Sequence, residues 1–304
     1  VNTIIPSRYT FILILVLLCL PFFANASVFI SAEELNKNLS NPKQLILDIR
    51  SQESYRQGHI PGAINIPHKL FVRTGKNNTS LILKPIDFKK LMRNNGIKNE
   101  HNIIIYGDLA NLESSHIYWM LDFYGQDKHS ILNGGYQAWL AKDFLTEQTT
   151  NKLAKSNFSI VIHPEKLASK FDVFMATKSD QYVIIDVRPQ NQFNGHESPF
   201  LTKKGHIPTA INLPWYSIMS NRSSVDLYTR TGKVSKIKPS AELAKILAQI
   251  PKDKKIILYC NYGAEAAVVY VALKQLNRTA QIFDGSWAEW QSDPKMPVFN
   301  PSAQ

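Results

Sequence analysis

Leu45-Ile46-Leu47-Asp48-Ile49-Arg50 returns later in the chain as Val183-Ile184-Ile185-Asp186-Val187-Arg188, and this pair decides the fold. Each copy is a short, continuous apolar run closed by an acid and an arginine. Such runs mark strands buried on both faces of a parallel sheet, where no polar alternation is needed. Working outward, Gly58-His59-Ile60-Pro61-Gly62-Ala63-Ile64-Asn65-Ile66-Pro67 recurs as Gly205-His206-Ile207-Pro208-Thr209-Ala210-Ile211-Asn212-Leu213-Pro214. Ile103-Ile104-Ile105-Tyr106 recurs as Ile256-Ile257-Leu258-Tyr259. Finally, Ile131-Leu132-Asn133-Gly134-Gly135-Tyr136-Gln137-Ala138-Trp139 matches Ile282-Phe283-Asp284-Gly285-Ser286-Trp287-Ala288-Glu289-Trp290. Blocks repeated in one order identify a duplicated domain. Between the strands lie helical candidates at Asp87 to Asn94, Ser114 to Asp122, Pro239 to Gln249 and Glu265 to Leu276. Alternating strands and helices predict an α/β fold in each copy, a mainly parallel sheet flanked by helices. The copies are expected over 27–141 and 159–304, joined by a polar linker at 142–158 that lacks apolar periodicity.

The length of 304 residues fits two such units at about 150 residues each, and 44% hydrophobic content can fill two cores. Only two cysteines occur, Cys19 and Cys260, which excludes a disulfide scaffold and a cysteine-rich zinc site. Arg8 precedes the apolar run Phe11 to Phe23, which ends in the small-x-small pattern Ala24-Asn25-Ala26. That run falls short of the roughly 20 residues of a membrane span. Residues 1–26 are therefore expected to be a signal peptide cut after Ala26, with an uncleaved anchor as the alternative. Leu18 stands where lipidation of Cys19 requires a small residue. The expectation is an exported protein, in a bacterial periplasm, without stable membrane insertion after cleavage. The charge of +11 comes from 35 Lys+Arg against 24 Asp+Glu. Lysines are dispersed, the densest cluster being Lys252-Asp253-Lys254-Lys255. With no basic stripe interleaved with aromatics, no nucleic-acid partner is expected. The field favours small anions.

Cleavage would leave Cys260 as the sole thiol, either a small buried hydrophobe or a group kept for chemistry. Its position favours chemistry. The strand Ile256 to Tyr259 runs directly into Cys260-Asn261-Tyr262-Gly263-Ala264-Glu265-Ala266 and then into the apolar-periodic stretch Val268, Val269, Val271, Ala272, Leu273 and Leu276. A strand's carboxyl end opening into a helix is where α/β sheets bind ligands. Loop amides and the helix N-terminus there favour an anion, so the thiol pKa is expected to be lowered toward neutrality.

These residues resemble the rhodanese family. Asp186-Val187-Arg188, Gly205-His206-Ile207-Pro208, the strand ending in Cys260 with its six-residue loop, and Asp284-Gly285-Ser286-Trp287 with Glu289-Trp290 all resemble a rhodanese domain. From about Val28 to Phe299 the chain is similar to tandem-domain thiosulfate and 3-mercaptopyruvate sulfurtransferases. The resemblance implies an active second domain and a silent first one, in which Gly107, or Asp108 with a one-residue shift, stands where the thiol should be. It also implies a double displacement: the Cys260 thiolate takes the outer sulfur of an anionic donor, thiosulfate or 3-mercaptopyruvate, and passes it from a persulfide to cyanide or a thiol acceptor. No metal or organic cofactor is implied. Asn261, Tyr262, Gly263, Ala264, Glu265 and Ala266 would surround the persulfide sulfur. Arg188 matches the family's donor-binding arginine, although Arg50 at the same place in the silent copy leaves a structural ion pair open.

The chain also departs from those enzymes. Asn261 and Tyr262 replace the two basic residues common in thiosulfate sulfurtransferases, and the Gly-Ser-Gly of mercaptopyruvate enzymes is absent. Asn194, in Phe193-Asn194-Gly195, stands where the latter carry an arginine, and Glu265 where a hydroxyl residue is usual. A carboxylate at Glu265 disfavours a neighbouring sulfur anion. These departures support the alternative of a non-catalytic or relay protein that hands sulfane sulfur to a protein partner. A phosphatase would need an arginine at the loop's end, where Glu265 and Ala266 stand. A cysteine protease would need a histidine beside the thiol, whereas His206 repeats as His59 and so belongs to the fold. His196 and Glu197 lie in the longer stretch between Asp186 and His206, either lining the cleft or forming a solvated loop.

Overall fold

The computed structural model describes residues 27–76, 79–108, 111–198, 202–220 and 234–303. The expected signal segment and Cys19 lie outside the described residues. The first half runs β1 (Phe29–Ile30), α1 (Ala32–Lys37), β2 (Gln44–Asp48), α2 (Gln52–Gln57), β3 (Ile64–Asn65), the hairpin β4 (Val72–Thr74) and β5 (Ser80–Ile82), and α3 (Pro85–Asn94). It closes with β6 (Asn102–Tyr106), α4 (Leu112–Phe123), β7 (His129–Leu132) and α5 (Gly135–Leu140). The second half repeats this as β8 (Leu167–Ala168), α6 (Lys170–Ala176), β9 (Tyr182–Asp186), α7 (Gln190–Phe193), β10 (Ile211–Asn212) and α8 (Ser240–Ile246). It ends with β11 (Lys255–Tyr259), α9 (Ala264–Gln275), β12 (Gln281–Phe283) and α10 (Ser286–Ser292). Each half has a five-stranded, wholly parallel sheet, in the order β1-β7-β6-β2-β3 and correspondingly β8-β12-β11-β9-β10. All four expected helices are present, the third turning 3-10 over Leu247–Gln249.

The repeated blocks are repeated because one buried network needs them. At the end of β9, Asp186 receives Arg188 Nε at 3.0 Å and Tyr259 Oη at 2.7 Å, and Tyr259 Oη accepts from Ile207 N at 3.1 Å. Asn212 Nδ2 donates to the carbonyls of Asp186 and Arg188, both at 2.9 Å. Asp48, Arg50, Tyr106, Ile60 and Asn65 make the same bonds in the first half. A buried charge pair survives only when its remaining lone pairs and protons are bonded, so the set is retained together. His59 and His206 complete it: each ring Nδ1 lies 2.8 Å from a backbone carbonyl, and the rings stack at 3.7 Å on Tyr55 and Phe193.

The two halves share one core. Helix α4 of the first packs along α9 of the second, and a single apolar cluster runs from Leu47, Ile105 and Trp119 through to Val187, Leu258 and Val271. The outer faces carry separate clusters around Trp139 and around Trp287 and Trp290. Asp122 in α4 is buried at the seam and holds Tyr270 Oη at 2.7 Å and Lys274 Nζ at 3.1 Å, both from α9. The stretch expected as a linker is strapped onto the first half: Ser156 N donates to Arg93 O at 3.0 Å, Arg93 Nε to Phe158 O at 2.8 Å, and Phe158 is wholly buried. Among the described residues, no helix is long and apolar enough to cross a membrane.

Candidate active site

Strand β11 delivers Cys260 to the carboxyl edge of the second sheet, and Gly263 turns the chain into α9. Gly263 has φ +95°, and a Cβ there would sit 2.8 Å from Asp284 O. Only glycine fits both the backbone and the space. The turn brings Gly263 N to 3.0 Å from Cys260 Sγ, and the amides of Tyr262 and Ala266 also favour the sulfur's charged form. Ser286, at the start of α10, supports the loop from behind. Its Oγ accepts from Cys260 N at 3.3 Å, donates to Phe283 O at 2.8 Å and lies 4.0 Å from Sγ. Ser286 holds φ +50°, a conformation that costs a non-glycine residue about 1 kcal/mol or more. Trp287 N and Ala288 N then bond the carbonyls of Cys260 and Asn261 at 3.0 and 3.1 Å.

The structure thus gathers Cys260, Tyr262, Gly263 and Ala266 around one sulfur, as their spacing suggested. The acidity differs from expectation. Cys260 is 1% exposed, and burial, followed by the Glu265 carboxylate, pushes the thiol up to about 12 against the pull of the Ala266, Tyr262 and Gly263 amides. Desolvation of the anion here outweighs the three amide dipoles.

Arg188 is held within its own repeat unit. Its Nε bonds Asp186, its Nη2 bonds Asp186 and Gly205 O, and its guanidinium lies 4.6 Å from the Trp287 ring centroid. Arg50 makes matching bonds to Asp48 and Gly58 O in the first half. Nε and Nη2 are thus committed, and among the described residues no hydrogen bond engages Nη1. The loop has another polar partner that the sequence did not single out: Gln192, in α7, accepts from Asn261 Nδ2 at 3.0 Å and is largely buried. Ser286 belongs to the Asp284-Gly285-Ser286-Trp287 motif, but its counterpart in the first half is Gly135, so the repeat does not mark it as a support of the loop. His196 stays outside this group, paired with Ser302 Oγ at 3.0 Å on the surface.

In the first half, Gly107 O accepts from Tyr136 N at 3.0 Å, just as Cys260 O accepts from Trp287 N. Gly107, rather than Asp108, is therefore the counterpart of Cys260, and this half has no thiol at its sheet edge. The rhodanese-like domain model matches residues 31–142 and again 172–293. The chain belongs to the rhodanese family. It is similar to the 3-mercaptopyruvate sulfurtransferase of Escherichia coli (strain K12), 30% identical over 286 residues that cover 89% of this chain and 97% of that protein. A thiosulfate sulfurtransferase of Corynebacterium glutamicum is 28% identical over 295 residues, covering 91% of each chain. The crystal structure of the rhodanese-fold protein SseA from Escherichia coli superposes with a TM-score of 0.73 at 29% identity, over 86% of this chain and 99% of that one. Wild-type EanB shares the fold at 20% identity and a TM-score of 0.76, over 90% of this chain and 69% of that one.

Proposed function

We propose that this rhodanese-family chain moves sulfane sulfur through Cys260. It is a sulfurtransferase. The observation that carries the role of Cys260 is the amide cradle: a sulfur anion there meets the Gly263 N–H at 3.0 Å and the N–H groups of Tyr262 and Ala266. In the cycle, the thiol first gives its proton to water or to the incoming donor. The thiolate then attacks the outer sulfur of thiosulfate, the donor's S–S bond breaks, and sulfite leaves. With 3-mercaptopyruvate the C–S bond breaks instead and pyruvate leaves after protonation. Cyanide or a thiolate then takes the terminal sulfur of the Cys260 persulfide and restores the thiolate. The cradle serves because its dipoles are fixed before the charge arrives. Asn261 and Gln192 border the loop with neutral amides, and the likeness to the rhodanese family assigns the donor's anionic group to Arg188.

Incubation of the purified protein with thiosulfate and, separately, with 3-mercaptopyruvate tests this reading. The expected results are a gain of one sulfur atom on Cys260 by intact mass and thiocyanate release on adding cyanide, both lost in Cys260→Ser. No adduct from either donor refutes the enzyme cycle. The deep burial of the thiol favours one second reading, in which a protein partner delivers or collects the sulfur; adduct formation only from a persulfidated protein would select it. We further propose export, on the strength of the run Phe11 to Phe23 and Ala24-Asn25-Ala26. A periplasmic fraction whose first residue is Ser27 would be expected.

A further inference from the structure

The two halves grip each other with the same device, built twice. Where β7 turns into α5, the Asn133 side chain reaches the second half: its Oδ1 accepts from Ile237 N at 2.9 Å and its Nδ2 donates to Ile237 O at 3.2 Å. Asp284 is the counterpart of Asn133 in the repeat, and its Oδ2 accepts from Ile82 N of β5 at 3.0 Å. Ile82 and Ile237 correspond as well. They pair antiparallel with Val72 and Met219, and the residues after them, Leu83 and Lys238, donate to Phe71 O and Ile218 O at 3.1 and 3.0 Å. One asymmetry spoils the match. An asparagine gives a peptide one acceptor and one donor, whereas a carboxylate gives acceptors only. Accordingly, Asp284 Oδ1 is buried and has no hydrogen-bond partner among the described residues.

We propose that Asp284 is a positioning residue that works as a neutral acid, its Oδ1–H donating to the Ile82 carbonyl as the Asn133 amide donates to that of Ile237, and that release of this proton to water opens the clasp beside the Cys260 loop. The surroundings fit a carboxyl poised between the two states. The Ile82 N–H on Oδ2 and, less strongly, Arg73 on β4 favour the anion, whereas Glu289 on α10 opposes it and the Ile82 carbonyl would lose its donor; Tyr124 after α4 faces the carboxyl while donating to Leu83 O. Burial dominates and pushes Asp284 up to about 7. The loop is adjacent: a Cβ on Gly263, the residue whose amide bonds Cys260 Sγ, would lie 3.1 Å from Asp284 Oδ1. Through this contact the first half, which has no thiol of its own at the sheet edge, bears on the geometry of the second half's active loop.

D284N, which keeps a donor at every pH, separates the possibilities. An acid raised in the folded state stabilises it fully below its unfolded value near 3.8, and that contribution is lost as pH climbs to about 7. Urea denaturation should therefore show the folding constant of D284N relative to wild type rising by up to about tenfold per pH unit from pH 4 to 7, then levelling. Hydrogen exchange at the Ile82 amide, corrected for its intrinsic pH dependence, should quicken above pH 7 in wild type and not in D284N. A pH-independent ratio, or equal Ile82 protection in both proteins, overturns the proposal. If D284N does not fold, N133D decides: it should import the same pH step at Ile237, and a flat profile overturns the proposal.

Discussion

Glu265→Gln should make Cys260 more acidic and more reactive. Burial raises the thiol from 9.0 to about 12, with Glu265 the next largest cause. Burial is untouched by the substitution, which removes one like charge and keeps the side chain's shape. An opposite charge close by lowers a carboxyl pKa by about 1–3 units, and a like charge acts in the reverse direction; as the smaller of the two raising causes, Glu265 should account for on the order of one unit. At pH 8 the thiol stays mostly protonated in both proteins, so a drop of about one unit gives about tenfold more thiolate. The less basic thiolate is a weaker nucleophile, by roughly threefold per unit at a Brønsted slope near 0.45. The net expectation is a rate gain of roughly three- to fourfold at pH 8. The assay is the pH profile of Cys260 attack on an aromatic disulfide reagent, with the modified residue assigned by mass. Superimposable profiles, or a midpoint moving upward in Glu265→Gln, would refute the electrostatic account of this loop.

Gly263→Ala should abolish sulfur loading and lower stability by about 2 kcal/mol or more, because its Cβ would press on Asp284 O at 2.8 Å at a φ of +95°; denaturation and persulfide yield read both. Asp122→Ala removes the buried carboxylate that Tyr270 and Lys274 share across the seam, and should cost about 3–5 kcal/mol in urea denaturation. Asp122 is held below its usual value, its burial offset by His129, Lys274, Lys166 and the Tyr270 hydroxyl; at neutral pH the lysines carry the charge, because burial keeps His129 neutral down to about 4. Its stabilising share is therefore present above the unfolded carboxyl pKa and lost as pH falls through the folded one. His68 lies 3.1 Å from His116 Nδ1, and burial depresses His68 to about 4. Its stabilising share is whole above the unfolded value of 6.5 and disappears as pH falls toward 4; His68→Asn should flatten that acid limb, and an unchanged limb would remove His68 as its cause.

What could be read from the sequence was whatever the fold demands twice. Asp186, Arg188, Tyr259 and Asn212 recur as Asp48, Arg50, Tyr106 and Asn65 because all four close one buried network, so spacing alone located both sheets and the loop that follows β11. The same logic bears on Arg188. A residue kept in both halves serves what both halves share, and Nε and Nη2 of Arg188 do so. Burial was what the sequence hid. The loop motif predicts amide donors around Cys260 and they are there, but the degree of desolvation depends on Ser286, α10 and the opposing half, which come from distant stretches. Gln192 was missed for a related reason: it lies in a short helix ahead of the longer, unrepeated stretch, where no second copy marks it.

The comparison between halves also explains why Glu265 sits where it opposes the thiolate. Glu113 occupies the first turn of α4 as Glu265 does the first turn of α9. An acid at a helix N-terminus meets the positive end of the helix dipole and is worth about 0.3–1 kcal/mol. Because the half without a thiol keeps its glutamate, that residue is explained by helix formation and needs no role in sulfur chemistry. In the active half it competes with the sulfur for the same dipole end, and so adds to the burial that keeps the thiol neutral in a cradle of amides. Steric exclusion alone does not explain the silence of the first half: a Cβ at Gly107 would sit a tight 3.2 Å from Ile49 Cγ1 and 3.5 Å from Ser114 Oγ, a crowding that a small shift of the Ile49 side chain relieves. What differs is support. Gly135 lacks the hydroxyl by which Ser286 holds Cys260, and α4 begins from a left-handed Asn111 instead of a glycine. Arming that half would thus take a rebuilt loop as well as a cysteine.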